Sequence, residues 1–305
     1  MKSNKIFDHK TSLMSKINTG VYGVALKITL TASVLTSVPS YAIDIDAGDW
    51  ETAPAGTNVA ILYAQHVKRD KLYENGNVVA DNAKLTSDVS ILRYVHWTSL
   101  GGHPFALEAL LPMGRLETEG ALSSLGNASG VGDAILLAPI WLVDNKAKRN
   151  SFAVVPYVFV PTGSYNKDKP LNLGENRFKY DLQLGYTHGI GDAFNIELAG
   201  DVMFFGKNHD TSLSQDPLYQ VQGHLSYQLD PTIRLAAGLS HTFGGETSIK
   251  GVDQDDEVKT TKSILTFSKF IGQRNQILFS YGKDLSVENG LKEGSRFNFR
   301  LLHVF

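Results

Sequence analysis

The 305-residue sequence has no cysteine. That absence excludes disulfides, thiol catalysis, cysteine-ligated metals and a lipidated N-terminal cysteine anchor. Beyond residue 42 there is no apolar run of 18 residues, which excludes a helical membrane protein. No charge sign dominates either: 29 Lys+Arg against 31 Asp+Glu leave a formal net charge of −2, which gives no electrostatic case for nucleic acid as a partner. His66, His96, His103, His188, His209, His241 and His303 are scattered without metal-ligand spacing, and Asp253, Asp255, Asp256 and Glu257 read as a solvated loop. No phosphate-binding glycine loop is present. Neither a cofactor nor a metal is expected.

The N-terminus has a strong pattern. Lys2, Lys5, Lys10, Lys16 and Lys27 form a positive region with Asp8 as its one acid, followed by the short apolar stretch Ile28–Val38 and Ser40-Tyr41-Ala42. This is the layout of a secretory signal peptide over residues 1–42, with either Met1 or Met14 as the start. Residues 43–56, with Asp44, Asp46, Asp49 and Trp50, read as a periplasmic lead or as a plug folded inward.

Residues 57–305 carry period-2 patterning. Phe178, Tyr180, Leu182, Leu184 and Tyr186 alternate with Lys179, Asp181 and Gln183, and the end of the chain sets Phe297, Phe299, Leu301 and Phe305 against Arg296, Asn298 and Arg300. Strands wetted on one side and greasy on the other produce this dyad. Twelve such segments are expected: Asn58–Val67, Thr86–Trp97, Phe105–Met113, Asp133–Val143, Ser151–Val160, Arg177–His188, Ala193–Phe205, Leu218–Leu229, Ile233–Phe243, Thr260–Phe270, Gln276–Asp284 and Arg296–Phe305. Long polar connections follow the odd-numbered strands, such as Lys68–Leu85, Glu117–Gly132, Gly163–Asn176 and Gly244–Lys259, and shorter turns follow the even ones. The expectation is an all-β, antiparallel, up-and-down transmembrane barrel in the bacterial outer membrane, with both termini periplasmic. Outer-membrane lipid then covers its outside, and the insertion machinery reads the closing strand at Phe305.

Two strands fit poorly. The second places Arg93 with Val89, Ile91, Val95 and Trp97 on the supposed lipid face, where a mid-bilayer arginine costs about 2–4 kcal/mol. A bulge or register shift would relieve it. The fifth, Phe152–Val160, is apolar on both faces, so either something inside covers it or the lumen has a greasy wall at Tyr157 and Phe159. Pro156 also removes a ladder hydrogen bond.

Several motifs carry a family resemblance. Pro54-Ala55-Gly56-Thr57, then Tyr63, Asp70 and Tyr73, are followed by Gly130-Val131-Gly132-Asp133, Pro139-Ile140-Trp141 and Val160-Pro161-Thr162-Gly163-Ser164-Tyr165. Asn172-Leu173-Gly174-Glu175-Asn176 and Asn208-His209-Asp210-Thr211 come next. In order and spacing these resemble the bacterial outer-membrane "meta-pathway of phenol degradation" family over residues 54 to 305. The resemblance implies a barrel that passes hydrophobic compounds, and it carries over no catalytic residues. Asp133 reads either as a cap on loop amides or as a pore residue.

By strand parity the inner wall holds Glu108, Asp181, Gln183, Glu197, Asp201, Gln220, Gln222, His224, Arg234, Arg296, Asn298 and Arg300. Acids and bases are both present, and twelve strands enclose a narrow or partly plugged passage. The expected function is non-enzymatic: a passive channel for small hydrophobic or aromatic solutes. Two alternatives remain. His224-Leu225-Ser226 has the His-x-Ser spacing of a barrel lipid esterase, with both side chains on one face, and a structural or adhesive barrel would show the same fold.

Overall fold

Every second residue from Asn58 onward turns its back on its neighbours, and the sheet that results closes on itself. A computed structural model describes residues 44–305; the expected signal peptide, residues 1–42, lies outside the described residues. The twelve wall strands are β1 (Asn58–Glu74), β2 (Ala83–Leu100), β3 (His103–Gly120), β4 in three segments (Ala128–Val131, Ala134–Leu137, Ile140–Asn145), β5 (Asn150–Val160) and β6 (Lys179–Ile190). The second half supplies β7 (Phe194–Phe205), β8 (Leu218–Asp230), β9 (Ile233–Gly244), β10 (Val258–Ile271), β11 (Asn275–Val287) and β12 (Gly290–Val304). Each pairs antiparallel with its sequence neighbour, and β12 pairs back onto β1 from Val59↔Val304 to Tyr73↔Gly290. Closure leaves no sheet edge, the condition for placing strands in lipid. The fold class and strand count are those expected.

The outer face is greasy. Tyr180, Leu182, Leu184, Leu198, Val221, Leu225, Leu239, Leu265, Phe279, Phe299 and Leu301 are all exposed. Their alternate neighbours are buried or half-buried, so the patterning sorts lipid-facing from interior side chains as the sequence implies.

Three expectations need correction. Arg93 does not face lipid: Leu92 and Tyr94, each 50% exposed, take the outer face, and Arg93 turns inward with Val95 and Trp97. Neither a bulge nor a register shift is involved, since β2 pairs in continuous register with β1 and β3. The apolar face of β2 is simply the inner one, covered from inside. Second, the stretches near Lys68–Leu85 and Glu117–Gly132 are mostly strand. β1 spans 17 residues and β2 and β3 span 18 each, roughly 55–60 Å at about 3.3 Å per residue, well beyond an apolar band of about 25 Å. Outside that band the outer face meets water, so its hydrophobic period fades while backbone pairing continues. Third, β11 and β12 are joined by Glu288-Asn289 alone, not by a long loop.

The other odd-to-even connections that leave β5, β7 and β9 are long, and two of them contribute to a small three-stranded sheet of Leu213–Gln215, Thr247–Ile249 and Val252–Asp253. The opposite end has tight turns such as Gly101-Gly102 and Pro231-Thr232. The ends of the barrel meet there, Phe305 N donating to Asn58 O at 2.9 Å. β4 is interrupted at Gly132-Asp133 and at Ala138-Pro139. The second gap faces Pro156 of β5, whose carbonyl accepts Ala138 N at 3.2 Å, while Ala106 N of β3 donates to Pro139 O at 3.0 Å. Proline on both strands removes donors at one place in the wall, and the bonds that remain use carbonyls.

Candidate functional site: the barrel interior

The interior begins with what fills it. Residues 44–57 run from β10 to β4, strands on opposite sides of a twelve-strand ring. At one end Asp44 accepts from Lys262 Nζ of β10 at 2.9 Å and from Gln220 Nε2 of β8 at 3.0 Å. At the other, Thr52 Oγ1 donates to Asp144 Oδ2 of β4 at 2.8 Å, and Trp141 Nε1 donates to the Trp50 carbonyl at 3.0 Å. Between them Arg300 Nη1 reaches Asp46 at 3.2 Å and Asp49 at 2.9 Å. Ile45 N donates to Gln222 Oε1 at 3.0 Å, Gly48 N donates to Glu197 Oε2 at 2.8 Å, and Glu51 pairs with Arg234. Trp50 lies so close to β6 that a Cβ on Gly185 would sit 2.5 Å from its ring. Glycine is required at 185 because an aromatic ring occupies the space a side chain would take.

The apolar inner wall expected on β5 is explained by this segment. Ala153, Val155, Tyr157 and Phe159 form one cluster with Val95, Trp97, Trp141, Ile45 and Trp50. The Trp97 and Trp141 rings are 4.8 Å apart. A cavity of about 230 Å³ remains between segment and wall, lined by Trp50, Trp141, Tyr63, Tyr157, Arg93 and Glu108 among others.

Of the twelve residues assigned inward by parity, Glu108, Asp181, Gln183, Glu197, Asp201, Gln220, Gln222, His224, Arg296 and Arg300 are buried, with Arg234 and Asn298 half-buried. Many are paired. Glu108 accepts from Arg93 Nε at 2.7 Å, and Arg93 also reaches the Tyr63 hydroxyl at 3.1 Å. Gln183 accepts from the Tyr157 hydroxyl at 3.0 Å and donates to Asp201 at 3.3 Å. Arg296 and Arg69 share Glu293 at 2.6 Å each. Asp181 differs, its two buried carboxylate oxygens having no hydrogen-bond partner among the described residues.

The interior charge is uneven around the ring. Arg69, Arg93, Lys262, Arg296 and Arg300 on β10, β12, β1 and β2 outnumber the acids Glu293, Asp284 and Glu108 on β12, β11 and β3, while Asp181, Glu197 and Asp201 on β6 and β7 opposite outnumber Lys179. Three acids of the crossing segment, Asp44, Asp46 and Asp49, lie against the basic side. Parity reasoning passed over Lys262, Arg69, Arg93, Tyr63 and Glu293. Lys262 shares its face with buried Thr266 and Ser268, a signal that was readable. Glu293 was not: register shifts between Lys68 and Lys71 change the phase of the β1–β12 pair, so counting back from Arg296 puts it outside.

His224 and Ser226 come together only as alternate residues of β8. Ser226 Oγ donates to Glu197 Oε1 at 3.2 Å. His224 packs over Gly238, whose added Cβ would lie 2.5 Å from Nδ1, and that nitrogen has no hydrogen-bond partner among the described residues. The pair shows no nucleophile–base contact.

At the long-loop end the quoted motifs fold into one knot. Asp133 accepts Gly163 N through Oδ1 and Glu175 N through Oδ2, both at 2.9 Å, so it caps loop amides. Gly163 and Gly174 stack backbone on backbone, a Cβ on Gly163 falling 2.7 Å from Gly174 Cα. Asn208 Nδ2 donates to the Glu175 carbonyl at 2.9 Å. Pro-Thr-Gly, Asn-Leu-Gly-Glu-Asn and the Asn208 loop are thus parts of one scaffold.

Comparison with known proteins agrees with this geometry. The chain matches the family model described as "Putative MetA-pathway of phenol degradation" over residues 69–301. An outer-membrane channel from Pseudomonas putida F1 is 40% identical, with a TM-score of 0.83, covering 86% of this chain and 100% of that one. The beta domain of the Bordetella autotransporter BrkA is 10% identical with a TM-score of 0.56, covering 83% and 100%, a likeness of fold alone. No curated protein matches.

Proposed function

Because the chain belongs to the MetA-pathway of phenol degradation family, we propose that this outer-membrane barrel is a passive channel for small hydrophobic or aromatic compounds, with residues 44–57 as its plug. One observation carries the mechanism: the crossing segment bonds to strands on opposite sides of the ring and leaves a cavity of about 230 Å³ beside it, walled by Trp50, Trp141, Tyr63 and Tyr157. Aromatic walls with a few fixed polar groups suit a small, weakly polar solute. Solute moves down its gradient when the segment shifts, and its ion pairs exchange for water. Charged groups of both signs on the wall give polar parts of the solute partners on both sides.

Several supports bear on orientation and assembly. The tight turns and both ends of the barrel lie together, as expected for the periplasmic side, and the long connections then face outward. Phe305, 66% exposed at the end of the closing strand, stands where insertion machinery can read it. No second observation supports the esterase reading, since Ser226 bonds to Glu197 rather than to His224, the partner that reading requires.

Purified protein in liposomes tests the proposal. Swelling with a neutral aromatic solute, and small conductance steps in planar bilayers, are expected. Protein that is inserted yet neither conducts nor swells liposomes, while phospholipid is cleaved in a Ser226-dependent way, would overturn it.

A further inference from the structure

A second cavity, of about 300 Å³, opens at the long-loop end between the β5–β6 and β7–β8 connections, away from the plug. Its walls include Lys167, Lys169 and Arg177, with Tyr165, Pro170 and Leu213 supplying apolar surface. Arg177 is 5% exposed. Its Nε and Nη2 hold Glu175 Oε2 at 2.9 and 2.7 Å, Nη2 also reaches Gln215 at 2.6 Å, and the guanidinium lies over Phe205 at 4.7 Å. Nη1 has no hydrogen-bond partner among the described residues. A buried guanidinium nitrogen without an acceptor is costly, and here it belongs to a wall of a cavity large enough for a ligand.

The charge around it is already balanced on the acid side. Glu175 is matched by Arg177 and by Lys179 at 2.5 Å, and Lys167 and Lys169 outnumber Asp168. The walls are preformed: Asn172 bonds to the backbone of Asn166 and Lys169, and Asp133 pins both ends of the loop. Preorganisation of this kind lowers the ordering cost of binding.

We propose that this loop cavity is a recognition site for small aromatic carboxylates. The carboxylate lies toward Arg177, Lys167 and Lys169, and the ring lies against Tyr165, Pro170 and Leu213. The site rests on the channel reading and sharpens it, naming an anionic solute class that is gathered at the mouth before entry.

The test is calorimetric titration of the full chain in detergent with benzoate, benzamide and benzylamine. Benzoate should bind, benzamide should bind roughly ten-fold more weakly, and benzylamine should not bind measurably. Lys167 and Lys169 are exposed and pair with no acid among the described residues, so the double variant Lys167→Glu/Lys169→Glu should fold and lose roughly ten-fold in benzoate affinity. Arg177→Lys, which keeps a cation for Glu175 but has no guanidinium fork, should also weaken benzoate. Equal affinity for benzoate and benzamide, or an unchanged double variant, overturns the proposal. Parent conductance is measured separately. Protein that conducts but does not bind benzoate refutes this site and leaves the channel standing, and protein that binds but does not conduct does the reverse.

Discussion

Replacing Arg300 by alanine should open the channel. Arg300 Nη1 joins Asp46 and Asp49 of the crossing segment, and Nη2 holds Gln276 at 2.9 Å. Its side chain is 5% exposed, and those of the two aspartates are 13% and 20% exposed. Removing one partner of a buried pair costs about 3–5 kcal/mol, since the other charge is left unpaired. The cavity beside the segment admits water, so about 2 kcal/mol is a fairer figure for the docked state. That is a roughly thirty-fold fall in the ratio of docked to released segment, and a segment docked 99:1 would become released about a quarter of the time. Planar-bilayer recording reads this as longer or more frequent open intervals, with heat-modifiability confirming that the variant is inserted. Arg300→Lys, which keeps a cation, should lie between parent and alanine. A chain lacking residues 44–56 provides the fully open reference. If that deletion conducts strongly while Arg300→Ala traces superimpose on the parent, the ion pairs do not hold the plug and the reasoning fails.

Gly185→Ala places a methyl group against the Trp50 ring and should displace the same segment without touching a charge, raising conductance; unchanged traces would mean that the ring has room to move. Phe305→Ser should sharply reduce heat-modifiable, membrane-inserted protein, and equal yields from variant and parent would count against the closing-strand signal. The chain has no cysteine, so single introduced cysteines report topology: Asp255→Cys should label from outside intact cells and Gly191→Cys should not, and the reverse pattern would invert the barrel. Burial opposes ionisation of Glu175, but Lys179 and Arg177 outweigh it and hold its carboxyl below the usual range. A depressed folded-state value means that its stabilisation of the loop knot is present above about pH 4.5 and is lost as pH falls through the lowered value. Loop proteolysis should therefore be flat from pH 7 to 5 and rise only in stronger acid; a rise between pH 7 and 5 would contradict this.

The barrel was legible because lipid imposes a period on one face of every strand. Tyr180, Leu182 and Leu184 against Asp181 and Gln183 state both the strand and its orientation. Legibility stopped where the solvent changed. Beyond the apolar band, Lys68, Asp70 and Lys71 meet water on the outside, so a continuing strand reads as a polar loop. β2 misled for the opposite reason: Val95 and Trp97 are apolar because Ile45 and Trp50 cover them, and a strand with oil on both faces does not say which oil is lipid.

The interior was legible as a list of residues and not as a site. Parity places Asp201, Gln222 and Arg300 on the inner face, but partner choice depends on which strands stand across the ring and on what fills it. Asp44, Asp46 and Asp49 are spaced without any secondary-structure period, so nothing in their pattern separates a loose lead from a docked one. The signals that could have done so lie on the wall. Gly185 interrupts the interior row of β6 opposite no turn, and Lys262 and Arg300 are interior cations with too few acids on their own strands. A closed barrel cannot leave such groups buried and unpaired, so a surplus of interior base on β10 and β12 requires acid from elsewhere in the chain. Residues 44–57 are where three acids stand together immediately before the first strand, and their place in the lumen follows from that charge requirement as much as from the tryptophan that anchors them.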